Sequence, residues 1–308
     1  MARLWKEVLA GILLVTAVSA VTIVESPVAG DYMVQNEYWN GLSRLVEELS
    51  GKGIRVVQLS TPLYALEPSS RVTVIMVGPG ETVSGAEVSW LNTLVFRGGK
   101  VVVLDDFGRG NVVLRMLGLP VEFVGSPLLD SVLYFKQPIF PVAASTGSLE
   151  GFPLDRILVL NVPTALRVGV AGRWNLTVVA ESSEFSFLDL NFNGVCDPGE
   201  PRGPFPVAVM ARRQGYAGYV LVVSDPSMLI NCMVGEGDNL QLILTVVGEK
   251  GVVVVDVYHR ASLPLERASA AIRGLGAALV SIARDPVGAY ALITLLSAVI
   301  SVAAYRRG

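Results

Sequence analysis

The 308-residue sequence predicts an α/β domain on a largely parallel sheet, with an irregular insertion and a transmembrane helix at each end. Three observations lead to this prediction. Valine-rich apolar runs alternate with amphipathic segments in the middle of the chain, which is typical of parallel strands covered by helices on both faces. A turn-rich stretch over residues 118–203 interrupts the alternation, and charge-free apolar runs lie near both termini.

The first terminal run covers residues 8–24 after a basic tail at 1–7, and is just long enough to cross a ~30 Å hydrocarbon core. We interpret it as a retained transmembrane helix. A cleaved signal peptide is the alternative, because Val18-Ser19-Ala20 resembles a cleavage site. The second run covers residues 287–305 before the basic tail 306–308. Because basic tails tend to remain in the cytoplasm, the sequence predicts a two-pass membrane protein with both termini cytoplasmic and the domain of residues 25–260 outside.

Residues 261–286 lie between this domain and the second apolar run. They carry arginines among apolar residues at helical spacing. This pattern predicts an amphipathic helix on the membrane surface, with membrane lipid as a partner.

The helices and strands of the domain follow from periodicity and from the signals at their ends. A helix over 38–49 carries leucines on one face and stops at Gly51-Lys52-Gly53. Ser84 and Glu87 form a capping box that starts a second helix, which ends at Gly98-Gly99. Two more helices are predicted at 111–117 and 239–247. The predicted strands are 54–59, 72–77, 100–104, 121–124, 156–160, 177–180, 206–211, 219–224 and 252–257.

One twelve-residue segment has the D-x-[DN]-x-[DN]-G-x5-E spacing of a calcium-binding loop. In such a loop alternate side chains turn inward to supply oxygen, and Gly194 permits the sharp reversal. The flanking residues do not suit two helices, so a bound ion would be structural. An Asp- and Asn-rich turn without metal is the alternative. The predicted ligands are Asp189, Asn191, Asn193, the carbonyl of Val195, Asp197 and Glu200.

Polar residues also follow three predicted strands, at the edge where parallel-sheet proteins bind ligands. One interpretation is a crevice for a small ligand or a second cation. The other is that these residues make turns and helix caps. They are Gly78-Pro79-Gly80-Glu81, Asp105, Asp106, Gly108, Asn111, Ser224, Asp225, Pro226 and Ser227, with Asn231, Asp238 and Asn239 further along the chain.

Composition excludes several functions. The net charge of −3 gives no basic footprint, so nucleic acid is not an expected partner. His259 is the only histidine, so the sequence lacks the residues that a zinc site or a histidine-based catalytic triad requires. An exterior location would permit a disulfide between Cys196 and Cys232, but two cysteines do not require one.

Four segments together resemble the domain of unknown function four-three-five-zero family, a prokaryotic and mostly archaeal membrane family. They are GGKVVVLDDFGRGN, LDLNFNGVCDPGEPRGPFPVAV, GYVLVVSDPSMLIN and GDNLQL. The resemblance covers roughly Tyr38 to His259. It implies a flavodoxin-like sheet similar to that of class I glutamine amidotransferases, held outside the membrane by terminal helices. It also implies a likeness to accessory subunits of gliding-type ABC transport systems.

Amidotransferases of this fold need a nucleophilic cysteine on a strand-to-helix turn, together with a His and a Glu. Here the matching turn reads Ser224-Asp225-Pro226-Ser227, and the strand 100–104 ends in Asp105-Asp106. The sequence therefore predicts an extracytoplasmic binding or scaffold protein with a structural calcium loop and no amidotransferase catalytic residues. Two alternatives remain: an accessory subunit of an ABC-type export complex with protein partners in the membrane, and a metal-assisted hydrolase using Asp105, Asp106 and Asp225.

Overall fold

The computed structural model describes residues 30–80, 83–170, 172–249 and 251–259. The helices in this part are α1 (Ser43–Gly51), α2 (Gly85–Phe96), α3 (Asn111–Leu117) and α4 (Asn239–Val247). The strands are β1 (Arg55–Leu59), β2 (Val72–Val77), β3 (Lys100–Leu104), β4 (Val121–Phe123), β5 (Leu128–Asp130), β6 (Val142–Ser145), β7 (Ile157–Val159), β8 (Leu166–Val168), β9 (Trp174–Ser182), β10 (Ser186–Leu188), β11 (Pro206–Arg213), β12 (Tyr219–Val223) and β13 (Val252–Asp256).

Nine of these strands form one sheet in the order β1-β13-β2-β3-β12-β11-β9-β6-β7, and β5–β10 and β4–β8 form two small sheets. The five strands from β1 to β12 in this order run parallel. Helices α1 and α4 cover one face, and α2 and α3 cover the other. The strands between them are apolar on both sides because neither face meets water: Val102 packs under the first pair and Val101 under the second.

The predicted ends of α2 and α3 are confirmed. Ser84 Oγ accepts a hydrogen bond from the Glu87 N–H at 3.3 Å, and Glu87 Oε2 accepts one from the Ser84 N–H at 3.0 Å. This capping box satisfies two amides that have no partner inside the helix. Helix α3 ends at Gly118, whose φ of 69° is left-handed and favours glycine.

The prediction of a largely parallel sheet is wrong, because the sheet is mixed. Strand β11 pairs antiparallel with β12 and β9, and β6 pairs antiparallel with β9 and β7. Only residues 214–218 separate β11 from β12, and a parallel crossover needs a dozen residues or more. The insertion is therefore not merely irregular: within residues 118–203 it contributes β6, β7 and β9 to the main sheet.

The flavodoxin-like strand order is also wrong. A flavodoxin-like sheet has the order 2-1-3-4-5. Counted along the chain, the parallel strands here have the order 1-5-2-3-4, because β13 inserts between β1 and β2. Continuous apolar strands predict a buried sheet, but they do not specify which strand lies next to which.

The prediction of flanking transmembrane helices, and with it the two-pass membrane location, is not supported and is corrected. Within residues 30–80, 83–170, 172–249 and 251–259, no helix is long and apolar enough to cross a membrane. The longest one there, α2, has 12 residues and spans about 18 Å at 1.5 Å per residue, against a ~30 Å core. The predicted spans 8–24 and 287–305 and the segment 261–286 lie outside the described residues.

Candidate functional site

The crevice that parallel sheets use for ligands falls between the carboxyl ends of β3 and β12. The chain leaving β3 continues into α3 on one face of the sheet, whereas the chain leaving β12 leads to α4 on the other. Such a reversal between neighbouring strands opens a crevice at their carboxyl ends. Strands β3 and β12 pair in register up to Leu104 and Val223, so the polar residues that follow them lie side by side.

Asp105 is the first residue after β3, and it supports the start of α3. Its side chain is buried, and Oδ2 accepts a hydrogen bond from the Gly110 N–H at 2.8 Å. Burial raises the pKa of Asp105, while four backbone N–H groups, led by that of Gly110, act against the increase. Asp105 therefore braces the turn before α3, in line with the structural interpretation of the sequence.

Asp225 is the second residue after β12 and joins two segments at the crevice. It is fully buried; Oδ2 accepts from the Asn161 N–H at 2.6 Å, and Oδ1 accepts from the Ser227 N–H at 2.7 Å. Burial raises its pKa to about 8, and the carboxylate of Asp106 contributes to the increase. The pKa of half-buried Asp106 is raised to about 6, first by burial and then by the neighbouring Asp105. The two motifs thus bring Asp106 and Asp225 within electrostatic reach.

Tyr32 completes the crevice, and sequence reasoning missed it. Its hydroxyl lies 3.0 Å from Ser227 Oγ, and a Cβ placed on Gly78 would lie 3.8 Å from its ring. Burial raises the pKa of Tyr32, and the carboxylates of Asp106 and Asp225 act in the same direction. Tyr32 precedes the first periodic segment of the chain, so no pattern indicated its position.

Two asparagines of the quoted segments, Asn111 and Asn231, serve the fold. Asn111 exchanges two hydrogen bonds with the backbone of Phe123 and so ties α3 to β4. Asn231 accepts from the Arg44 N–H and donates to the carbonyls of Asn36 and Tyr38, which fixes the segment before α1. These residues belong to turns and braces, and they do not enter the crevice.

Asp238 and Asn239 brace the start of α4 in the same way. Asp238 pairs with Arg156 at 2.8 Å and accepts from the Ile157 N–H at 2.9 Å. Asn239 is completely buried, and its amide makes four hydrogen bonds to backbone groups of Val159, Met228 and Met233. Both residues hold β7 against the helix.

A buried cluster of Glu87, His259 and Asp256 lies beside α2 and also escaped sequence reasoning. His259 Nδ1 is 2.7 Å from Asp256 Oδ2, and its Nε2 is 3.1 Å from Glu87 Oε1, at an angle unsuited to a hydrogen bond. Burial alone would lower the pKa of His259, but Asp256 and Glu87 outweigh it and raise the pKa. The sequence signal for Glu87 is its capping box, and the signal for Asp256 and His259 is their i, i+3 spacing.

The crevice has no cysteine nucleophile. Both cysteines are free and lie elsewhere: Cys196 is in the Asp-rich loop, and Cys232 follows the turn after β12 by several residues. Ser224 stands first after β12, but its hydroxyl is fully buried and has no hydrogen-bond partner among the described residues. A hydroxyl without a neighbouring base is a weak nucleophile, so this turn lacks the arrangement that covalent catalysis requires.

The predicted calcium loop is closed by a backbone hydrogen bond at its base, and further hydrogen bonds join residues within the loop. The N–H of Leu188, the last residue of β10, donates to the Pro201 carbonyl at 3.0 Å. Buried Asp189 accepts from the N–H groups of Asn193 (3.1 Å) and Gly194 (2.8 Å). Gly194 has a φ of 76°, as expected for the sharp reversal.

Of the remaining predicted ligands, the two asparagines contact the Asp197 carboxylate, and Glu200 contacts backbone amides. The side-chain amides of Asn191 and Asn193 donate to Asp197 Oδ2 at 2.7 and 2.6 Å. Glu200 accepts from the Leu190 and Asp197 N–H groups at 2.8 and 2.9 Å. In the described part of the chain, no three His, Cys, Asp or Glu side chains are grouped as a metal site. The calcium ion therefore stays a prediction.

The fold and the crevice together define a class of protein: an α/β domain whose crevice between β3 and β12 is lined by carboxyl groups. This crevice contains no amidotransferase nucleophile. The chain belongs to the family described as Domain of unknown function (DUF4350), whose sequence model matches residues 34–247. A comparison with curated proteins found no match.

Several solved structures resemble this chain, with low TM-scores and low sequence identities. The mmIFT52 N-terminal domain has a TM-score of 0.44 and 13% identity, over 61% of this chain and 84% of that chain. Cytoplasmic protein STM3548 from Salmonella typhimurium has a TM-score of 0.39 and 13% identity, over 68% of this chain and 87% of that one. A ThuA-like protein from Bacteroides uniformis has a TM-score of 0.33 and 14% identity, over 57% and 67%. These similarities are too low to transfer a function.

Proposed function

We propose that this chain is a non-catalytic binding domain that presents a rigid polar crevice between β3 and β12. One observation carries the proposal: both oxygens of Asp225 are engaged by backbone N–H groups. A carboxyl group held in this way joins the loop after β7 to the turn after β12, which is a structural role. The open side of the crevice, formed by Asp106 and Tyr32, supplies polar groups for a ligand.

The geometry gives less support to the metal-assisted hydrolase. That alternative needs Asp105, Asp106 and Asp225 to converge on a cation, but Asp105 accepts from Gly110 and Asp225 from two other amides. The lipid and protein partners expected from the sequence, including an export complex, have no supporting contact in the described residues and stay predictions.

The binding role predicts that the purified full chain releases no ammonia from glutamine above background. The reason is that neither Asp105 nor Ser224 replaces the cysteine that the reaction needs. Ammonia release should be measured for the wild type and for Cys196→Ser and Cys232→Ser, with folding checked by circular dichroism. Release that either substitution abolishes would refute the non-catalytic role.

We further propose that the loop from Asp189 to Glu200 binds calcium as a structural ion. What supports this is the close approach of Asn191, Asn193 and Asp197 around a common centre, on a base fixed by the neighbouring strand. A cation at this centre would replace the two amide donors, and both amides would then present oxygen. The three carboxylates of the loop would gain a compensating charge.

Calcium is therefore expected to raise the melting temperature of the full chain relative to chelator. At ten times the dissociation constant, binding to the native state alone adds about 1.4 kcal/mol, and extracellular-type loops bind at ~10⁻⁴ to 10⁻³ M. Magnesium should substitute poorly because it demands a tighter octahedron. Differential scanning fluorimetry in calcium, magnesium and chelator measures the shift.

Glu200→Gln should remove most of this shift, because it eliminates the bidentate carboxylate. The exposed Glu184→Gln changes the charge equally outside the loop and should retain the full shift. Equal melting temperatures of the folded wild type in calcium and in chelator would leave the loop an ordinary turn.

A further inference from the structure

A second concave site lies at the opposite edge of the sheet, where the parallel strands begin. It is a cavity of about 550 Å³ between the middle of α2, the end of α3, the start of β9 and the end of β11. Ligand pockets in proteins usually have roughly 300–1,000 Å³. Among the described residues, its lining includes three arginines and no acidic residue: Asn92, Arg115, Met116, Leu117, Gly118, Pro120, Val170, Gly172, Arg173, Trp174 and Arg213. We call it the arginine pocket.

The three positive charges of the arginine pocket contrast with the net charge of the whole chain, which is −3. In the described residues, Arg115, Arg173 and Arg213 form no salt bridge, whereas Arg167 next to the pocket pairs with Glu122 at 3.0 Å. Three guanidinium groups around one cavity repel each other unless an anion lies between them. The pocket therefore carries uncompensated positive charge that a bound anion would neutralise.

The frame of the pocket is rigid. Trp174, which is almost fully buried, donates from Nε1 to the Gly118 carbonyl at 2.8 Å and so joins β9 to the end of α3. Arg213 lies opposite Trp174 in the sheet, donates to Asn92 Oδ1 at 3.4 Å, and stacks 4.8 Å from the ring centre of Tyr216. A guanidinium held on both sides loses little conformational entropy when it binds an anion.

The shape of the lining indicates the kind of anion. A phosphate monoester carries nearly two negative charges and three acceptor oxygens, which suit three guanidinium groups better than the two oxygens of a carboxylate. The exposed apolar side chains of Met116 and Val170 form another wall, and the cavity is much larger than inorganic phosphate. We propose that the arginine pocket binds a small organic phosphate, a function that goes beyond the crevice and the calcium loop.

The test is isothermal titration of the full chain, at low salt, with phenyl phosphate, inorganic phosphate and phenol. Phenyl phosphate should bind saturably, inorganic phosphate should bind more weakly, and phenol should not bind. Arg115→Gln and Arg173→Gln, which replace exposed side chains, should each weaken phenyl phosphate binding by about tenfold, the effect of losing one hydrogen bond to a charged group.

The matched control is Arg55→Gln, which removes the same charge from an exposed position in β1, at the far edge of the sheet. It should leave the affinity unchanged. Three results would overturn the proposal: no saturable binding by the folded wild type, equal weakening by Arg55→Gln, or inorganic phosphate binding as tightly as phenyl phosphate. The last would mean an adventitious ion only.

Discussion

Asn239→Ala is expected to reduce the free energy of unfolding by about 4 kcal/mol. The amide of Asn239 is the partner of the Val159 N–H and of the carbonyls of Val159, Met228 and Met233. Alanine would remove this partner from all four backbone groups. The Met233 carbonyl would keep the Glu236 N–H at 2.9 Å, and each buried group left unsatisfied costs about 1–3 kcal/mol. Urea-induced unfolding followed by circular dichroism measures the loss.

Asn175→Ala provides the control, because Asn175 is exposed on β9 and makes no side-chain hydrogen bond that the structure describes. It should change the free energy of unfolding by about 0.5 kcal/mol or less. If Asn239→Ala cost as little as this control, the segment GDNLQL would not have the bracing role that the structure gives it.

The free energy of unfolding is also expected to decrease as the pH rises from about 5 to 8. The pKa of Asp225 is about 8 and that of Asp106 about 6, both raised first by burial. A carboxyl whose pKa is higher in the folded state binds its proton more weakly in the unfolded chain. Stability is therefore lost as the pH rises above the unfolded value of ~4, with a slope of up to about 1.4 kcal/mol per pH unit for each group.

His259 and Glu87 also contribute to the dependence of the free energy of unfolding on pH, His259 at the neutral end and Glu87 at the acidic end. The pKa of His259 is raised in the folded state, so its contribution is complete below the unfolded value of ~6.5 and is lost as the pH rises through the folded pKa. For Glu87, burial raises the pKa, but hydrogen bonds from Ser84 and Leu63 and the charge of His259 lower it overall. Its contribution is complete above the unfolded value of ~4.3 and is lost as the pH falls through the folded pKa, so Glu87 opposes the other groups only in acid.

Urea unfolding at pH 5, 6, 7 and 8 tests the profile. Asp225→Asn should make the decrease shallower across this range, and His259→Gln should flatten only the part above about pH 6.5. Exposed Asp155→Asn should keep the wild-type slope. A wild-type stability that is constant or increases from pH 5 to 8 would contradict the assignment of these buried groups.

The regular elements of the domain could be predicted where local chemistry fixes them. Helix α2 begins at its capping box and ends before Gly98-Gly99, and helices α3 and α4 have the predicted bounds. Strands β2 and β3 also match, because each is a continuous valine-rich run between turn residues. In these segments, propensity, patterning and end signals agree with one another.

The insertion could not be predicted in the same way. Strands β5, β6, β8 and β10 have three or four residues each, too few to show a period. Strand β6 becomes regular only because its neighbours β7 and β9 supply hydrogen bonds from distant parts of the chain. The same limit applies to the order of the parallel strands, since β13 and β2 look alike as sequences.

The candidate sites also differ in whether the local sequence could predict them. The spacing of the Asp189–Glu200 loop is local, so the sequence alone determined that its oxygen donors would share one turn. Only the tertiary structure decided that Asp225 meets the backbone of Asn161 and that His259 lies between Glu87 and Asp256. It also decided that arginines from α3, from the turn before β9 and from β11 share a cavity. Contacts between residues far apart in sequence depend on how the strands pair, and no short segment contains that information.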